Sequence, residues 1–378
     1  MFEIYLKPLT YIVLGIAGSS LLVQLIYYWA VFSRLSFFKH KKNKDLSYFL
    51  PPISVVISAR NEYLNLEINL PLILSQDYPD FEVVVVNDCS DDGTEELLTD
   101  MARVEPRLNV VHIRQSLNFF HGKKFPLSIG IKSARHERLV LTDADCTPAS
   151  DQWIKGIVSA YQDKTEMVLG YGPYRKKFGM LNLLIRFDTL HIAMQYLSYA
   201  LAGAPYMGVG RNLSYERKLF YKNKGFTAHY GISSGDDDLF VAEVANKRNT
   251  RIVICEESRT YSDPKKSFSA WIRQKRRHLT TGKFYRKSVK FKLGLYAILP
   301  FIFYASAAGL FFLPVHFAVP TAMIGFRLIN QLIIFGGASK RLGEKSIWIL
   351  TPIAELFFMF FNPILAFTNL FSKQAIWK

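Results

Sequence analysis

The sequence predicts an α/β domain with an open, mostly parallel sheet, flanked by transmembrane α-helices. Three features of the 378-residue chain lead there: charge-free apolar runs at both ends, strand-length apolar runs in the middle, and helix-patterned segments between those strands. Half of the residues are hydrophobic and 15% are aromatic, and both crowd toward the ends, which argues against two soluble domains of ordinary size.

From Pro8 to Ser33 no side chain is charged. That run exceeds the roughly 20 residues needed to cross a bilayer core and is too long for a cleaved leader, so residues 1–34 are expected to form a spanning helix. A basic linker, 35–50, follows with Lys39, Lys41, Lys42 and Lys44. A second charge-free run, Leu293–Phe326, holds one helix and most of another, with Pro314 and Pro320 available to break it; Arg327 then sits on an apolar stretch ending near Phe335. Ile347–Phe371 contains only Glu355, expected to be buried against a neighbouring helix or to lie near an interface, because an isolated carboxylate facing lipid is costly. Residues 291–378 are thus expected to supply about three spans.

The formal net charge of +16 raises the question of nucleic acid, but the cations are placed otherwise. Arg34 and the linker lysines follow the first span, and Lys340, Arg341 and Lys345 separate later ones. Such flanks mark the cytoplasmic side, favour anionic headgroups and argue against a nucleic-acid partner. Cys89, Cys146 and Cys255 show no metal-ligand spacing and suit a reducing compartment.

Between the ends, over residues 51–290, Ile53–Ser58 and Phe81–Val86 read as strands joined by a helix over Glu62–Leu74. Thr94 is expected to cap a helix whose first turn holds Glu95 and Glu96. Val110–Ile113 reads as a third strand, Phe125–Ala134 as a helix and Arg138–Thr142 as a fourth strand. Met180–Leu201 is amphipathic, either an interfacial helix or hairpin lying against the membrane or a helix of the domain core.

In open α/β sheets ligands bind beyond the carboxyl ends of the strands, so the residues just after each run are the candidates. Ser58-Ala59-Arg60-Asn61-Glu62 follows the first strand, and Asn87-Asp88-Cys89-Ser90-Asp91-Asp92-Gly93-Thr94 the second. Turn and cap chemistry explains Asp92, Gly93 and Thr94 but not Asp88, which can accept from a base N–H or a ribose hydroxyl. The fourth strand runs into Asp143-Ala144-Asp145, two hard oxygen ligands suited to magnesium or manganese, metals that also bind phosphate oxygens.

This order of motifs resembles the family 2 glycosyltransferases of GT-A fold in their bacterial membrane-anchored form. It comprises the Asp88 turn, Gly122-Lys123, Asp143-Ala144-Asp145, Gly235-Asp236-Asp237-Asp238-Leu239 and Gln274-Lys275-Arg276-Arg277-His278, within Pro51–Gly282. The resemblance implies that Ser58, Glu62 and Asp88 hold the nucleoside, that Lys123 lies near the donor, and that Asp145 with Asp143 binds sugar-nucleotide and metal. Asn87 stands where the family usually has an Asp. In the acidic run the family spacing implies Asp236 as the catalytic base, with Asp237 in reserve; a helix N-terminus decorated with acids accounts for Asp237 and Asp238. Arg211 and Asn212 fall where the family places acceptor contacts, though Arg211 equally suits an ion pair with one of the three Asp residues. Gln274 and Arg277 match the donor-side Gln-x-x-Arg pattern, which also reads as a basic stretch at headgroups. His278 replaces the family's tryptophan, leaving less stacking area for an acceptor sugar.

The resemblance implies an inverting, metal-dependent hexosyltransferase of cell-envelope glycan synthesis in a bacterial inner membrane, its catalytic domain cytoplasmic. The expected donor is a nucleotide sugar, a UDP-sugar favoured, and the acceptor a lipid-linked or membrane-proximal glycan. A processive polysaccharide synthase and an inactive nucleotide-sugar-binding regulator are the alternatives.

Overall fold

The computed structural model describes residues 2–39, 50–115, 122–232 and 234–371. Lys41, Lys42 and Lys44 of the basic linker lie outside them. The chain divides into two units, Met1–Phe38 with Arg286–Ser372, and one built on Lys39–Tyr285. The first unit begins with α1 (Phe2–Ile26), which continues through a π-helical stretch, Tyr27–Phe32, into α2 (Ser33–Ser36).

The second unit is the sheet domain. Its elements are β1 (Ile53–Ala59), α3 (Tyr63–Leu74), β2 (Phe81–Asp88), α4 (Thr94–Val104), β3 (Leu108–Ile113), α5 (Lys124–Ser133), β4 (Arg138–Asp143), β5 (Cys146–Pro148), α6 (Trp153–Val158), β6 (Met167–Leu169), α7 (Met180–Leu201), β7 (Leu213–Glu216), α8 (Arg217–Lys222), α9 (Asp238–Val244), β8 (Thr250–Ile252), β9 (Thr260–Ser262) and α10 (Phe268–Leu279). Seven strands form one sheet in the order β3-β2-β1-β4-β7-β6-β8, and β5 pairs with β9. β1 to β4 are mutually parallel, whereas β7 runs antiparallel to both β4 and β6.

Both faces of the parallel half are covered, which is why its strands are apolar at successive positions rather than alternate ones. Val55, Ile57, Val83 and Val85 pack with Leu66, Leu70 and Ile73 of α3 and Trp153 and Ile157 of α6. Each such buried aliphatic side chain contributes about 1.5–3 kcal/mol. The opposite face meets α5 at Gly130, where a Cβ would sit 2.7 Å from Val56 Cγ1 and 3.0 Å from Val86 Cγ2. Only glycine lets this helix lie so close to the sheet.

Two expectations change here. Thr94 does not cap α4: Gly93, at φ 87°, holds the cap position, and the Asp92 carboxylate accepts from Thr94 N at 3.1 Å and from Tyr63 N at 3.1 Å. The longer Asp side chain thus serves two helix starts, while the Thr94 hydroxyl accepts from Glu62 N. Met180–Leu201 is one continuous helix, not a hairpin, with Ile185, Phe187, Leu190, Met194 and Leu197 buried. Tyr196 donates to Gly170 O at 2.6 Å and Asp188 pairs with Lys275 at 2.6 Å, so most of α7 is a core helix, with Met180 at its start and Ile192 midway as its exposed large apolar side chains.

The first unit is completed by α11 (Lys287–Leu310), α12 (Ala318–Leu342), a 3-10 turn over Ile347–Leu350 and α13 (Thr351–Leu370). Among the described residues four helical stretches are long and apolar enough to cross a membrane: Lys7–Ser36, Lys287–Leu310, Ala318–Leu342 and Ile347–Asn369. α11 starts ahead of residue 291, and Pro314 lies in the break while Pro320 falls in the first turn of α12, where no N–H is needed. Glu355 is paired inside the helix cluster: Arg327 binds it through two nitrogens at 2.7 and 2.8 Å and also donates to Gln24 Oε1 and the Tyr304 hydroxyl.

Candidate active site

Parallel pairing sets Ser58 of β1 opposite Asp143 of β4, so the two strands open at one level, with Asn87 of β2 opposite Ala59 on the other side. The loops beyond β1 and β2 are tied through Asn61, whose N donates to Ser90 Oγ at 2.9 Å and whose Oδ1 accepts from Asp91 N at 2.9 Å. Above them the Ser58 hydroxyl and Asn87 Oδ1 are buried without a partner among the described residues. Burial raises Asp88 above the usual carboxylate range, and Arg60 partly offsets it. Glu62 is raised by burial, opposed by a hydrogen bond from Asn65, with Asp145 and Asp143 adding to the rise.

Asp143 and Asp145 differ in their surroundings. Asp143 is ion-paired with Lys123. Burial works against its charge, yet Lys123, Arg211 and Arg277 hold its pKa below the ordinary value. Asp145 has no such partner among the described residues, and burial together with Asp143 raises it. Oxygens of the two carboxylates and Cys146 Sγ all lie within 4.8 Å of one another. Burial keeps the Cys146 thiol protonated, and it contacts Asp145 Oδ1 at 3.5 Å and Ser262 Oγ at 3.1 Å. The donor set is therefore two carboxylates, which fits a hard divalent cation and not a thiolate-bound one.

The acidic run assigns its three carboxylates unequally. Asp237 accepts from Gly210 N and Asp238 N, each at 2.7 Å, and so caps α9 and anchors the preceding segment. Asp238 accepts from Leu239 N at 2.8 Å and from the Tyr285 hydroxyl at 2.9 Å. No other residue among those described donates to Asp236. Burial and the Asp237 charge raise it to about 6, while Lys123 pulls the other way. Lys123 therefore acts electrostatically on both Asp143 and Asp236.

Arg211 forms no ion pair with the acidic run among the described residues. Its guanidinium lies 4.6 Å over the Tyr174 ring, and its Nε sits where a Cβ on residue 172 would be 2.6 Å away, so Gly172 makes its room. Gln274 donates to the Tyr174 hydroxyl at 2.9 Å, which makes it a brace for this stack. Asn212, expected at the acceptor, is instead consumed in the interior: it donates to Tyr171 O and Ser258 O at 2.9 and 2.8 Å and accepts from Trp153 Nε1. Its amide joins chain segments that would otherwise leave carbonyls unpaired. Arg277 acts on the charge of Asp143 from the last turn of α10. The adjoining His278 reaches solvent, yet the depth of its setting and then Arg277, Arg211 and Lys275 hold its pKa well below normal, leaving a neutral imidazole.

Lys124 escaped the motif reading. Its buried ammonium donates to His229 O, Ile232 O and Ser234 O at 2.7, 2.8 and 2.7 Å, clamping the segment that leads into Asp236. Its only signal in the sequence is its place beside Gly122-Lys123. Lys265 also emerges, acting on the charges of Glu62 and Asp145.

The profile of glycosyl transferase family 2 matches residues 54–222, and that of glycosyl transferase family group 2 matches residues 140–367, more than half of the chain. The chain belongs to the family 2 glycosyltransferases. An uncharacterized glycosyltransferase of Haemophilus influenzae is 26% identical over 146 residues, 39% of this chain and 42% of that one. A poly-beta-1,6-N-acetyl-D-glucosamine synthase of Staphylococcus epidermidis is 30% identical over 125 residues, 31% of this transferase and 29% of the relative. The matched stretches thus span less than half the length of these relatives. Among solved structures, a mannosyltransferase from Pyrobaculum calidifontis in complex with GDP-Man and Mn2+ superimposes with a TM-score of 0.57 at 20% identity, over 92% of this chain and 99% of that one. The family 2 domain has the GT-A fold.

Proposed function

We propose that this transferase moves a hexosyl group, with inversion, from a nucleoside-diphosphate sugar to a lipid-linked or membrane-proximal glycan acceptor. A UDP-sugar is favoured as donor; the four apolar helices support anchoring in a membrane, read here as a bacterial inner membrane, and Arg34, Lys340, Arg341 and Lys345 beside them favour the cytoplasmic side for the sheet domain. The observation that carries the reading is the division of labour at 236–238: burial raises Asp236 and Asp237 alike to about 6, but Asp237 and Asp238 are occupied by backbone and Tyr285, and only Asp236 receives no hydrogen bond from another described residue. That value suits a base working near neutrality.

In this account Ser58, Glu62 and Asp88 hold the nucleoside, and Lys123 and Arg277 face the diphosphate. Asp145, with Asp143, would hold manganese or magnesium, which when bound neutralises charge on the diphosphate. Asp236 takes the proton of the acceptor hydroxyl as its oxygen bonds to the anomeric carbon, and the bond to the diphosphate breaks with its electron pair leaving on phosphate. Arg211 and the neutral His278 line the acceptor side, where an uncharged imidazole donates or accepts without repelling the surrounding cations.

A processive synthase is the second reading, favoured by the likeness to the Staphylococcus epidermidis synthase. Purified chain supplied with donor and a lipid-linked acceptor distinguishes them. A product one or a few sugars longer, of inverted anomeric configuration by NMR, supports the proposal. Polymer from the purified chain alone contradicts its acceptor, and retained configuration contradicts its mechanism.

A further inference from the structure

Two exposed loops of the sheet domain each carry a Lys-Lys pair followed by a phenylalanine. Residues 175–180, Arg-Lys-Lys-Phe-Gly-Met, lead into α7, and residues 263–268, Asp-Pro-Lys-Lys-Ser-Phe, lead into α10. The fold sets them side by side. Tyr174 bridges Ser262 in parallel, Arg175 N donates to Ser262 O at 2.9 Å, and Asp263 pairs with Lys177 at 3.0 Å and Arg175 at 3.7 Å. Phe178 stands wholly in solvent, Met180 is 72% exposed and Phe268 44%. Five cations, Arg175, Lys176, Lys177, Lys265 and Lys266, face a single carboxylate, Asp263.

We propose that these paired loops dock on an anionic lipid bilayer, Phe178 and Met180 entering the boundary between headgroups and acyl chains and Lys176, Lys177 and Lys266 meeting the headgroups. Large apolar side chains held out beside lysines match an interface that is apolar below and negative above. The charge is what selects the occupant. A second apolar stripe, Leu64, Ile68 and Leu72 on α3, is also exposed, but Glu62 and Glu67 flank it and no Lys or Arg occurs between Asn61 and Met101. A two-fold contact between copies would oppose five cations to five more, and a hydrated anionic glycan offers no apolar phase for Phe178 and Met180. Because Arg175 donates to the Thr147 hydroxyl at 2.6 Å and Ser262, next to Asp263, pairs with Cys146, next to Asp145, the surface lies at the rim of the candidate site. Docking there would hold the mouth of the site at the depth where a lipid-borne acceptor presents its hydroxyl.

The inference rests on the reading of the flanking helices as membrane spans. The test is hydrogen–deuterium exchange on the full chain in nanodiscs of phosphatidylcholine alone or mixed with phosphatidylglycerol. Amides over 174–183 and 263–270 should exchange several-fold more slowly in the mixed discs. The slowing should vanish in a Lys176→Ser/Phe178→Ser chain whose β1 and β4 amides stay as protected as before. Equal exchange in the two discs by an inserted chain overturns the docking surface. So does slowing that appears only with rising protein concentration, or only on adding a soluble anionic glycan. A chain that inserts into neither disc overturns the membrane reading, and this surface with it.

Discussion

The ammonium of Lys124 donates to the carbonyl of Ser234 at 2.7 Å, one residue before the Gly235 turn that delivers Asp236. With His229 O and Ile232 O it fixes the approach to the carboxylate from three points. Lys124→Met keeps most of the stem and removes every donor. Displacing a base by about 1 Å can cost roughly 100-fold, so kcat should fall between about 10- and 100-fold while the donor KM changes much less. Steady-state kinetics check this; a lowered thermal midpoint with kcat intact would reduce Lys124 to a stabilising role.

Asp236 should give the rate its acid limb. A base works only when deprotonated, so kcat should be level above about 6 and decline below it. Lys123→Met removes a cation that lowers this pKa and should move the limb to higher pH. Asp237→Asn removes an anion that raises it and should move the limb lower. The two variants' pH profiles are therefore expected to shift in opposite directions, and parallel shifts would contradict the geometry.

Asp145 is the carboxylate of the pair without an ion pair among the described residues, since Lys123 is committed to Asp143 and Lys265 and Arg211 act on Asp145 only through their charge. Asp145→Asn should weaken manganese binding more than Lys123→Met does. The measurement is a thermal shift with Mn2+ alone: metal at about 100 times its Kd stabilises by about 2.7 kcal/mol, and most of that gain should disappear in Asp145→Asn.

In the helical unit, Arg327 has no exposed surface and its charge is met by Glu355. Arg327→Met leaves that carboxylate unpaired and should cost about 3–5 kcal/mol, whereas Arg327→Met/Glu355→Gln should recover most of the loss. Thermal denaturation of the purified chain, variant by variant, reads both outcomes.

What could be read in advance follows from the range of the interactions. β1, β2 and β4 are six to eight residues long and buried on both faces, so composition alone marks them, and the acids at their ends stand out against it. β5, β6, β8 and β9 have three residues each, and such strands exist only through pairing with distant partners, which no local pattern records. The same holds for side chains. Asn212 looks like a surface amide beside Arg211 until Tyr171, Ser258 and Trp153 close around it. Lys124 reads as one more surface lysine because its acceptors lie about 105 to 110 residues away. Thr94 lost the cap position to Gly93, and its N–H went to Asp92, because one carboxylate has two oxygens and two helix starts converge on it.

Asp236, and not its neighbour, is the residue we propose takes the acceptor proton. Single-turnover transfer by Asp236→Asn and Asp237→Asn, with donor binding measured separately by titration with the nucleoside diphosphate, tests it most directly. Transfer should fall by at least about 100-fold in Asp236→Asn with donor affinity within a few-fold of the parent, and much less in Asp237→Asn, whose amide oxygen still accepts from Gly210 N. Unchanged transfer in Asp236→Asn, or a larger loss in Asp237→Asn with the fold intact, would contradict it.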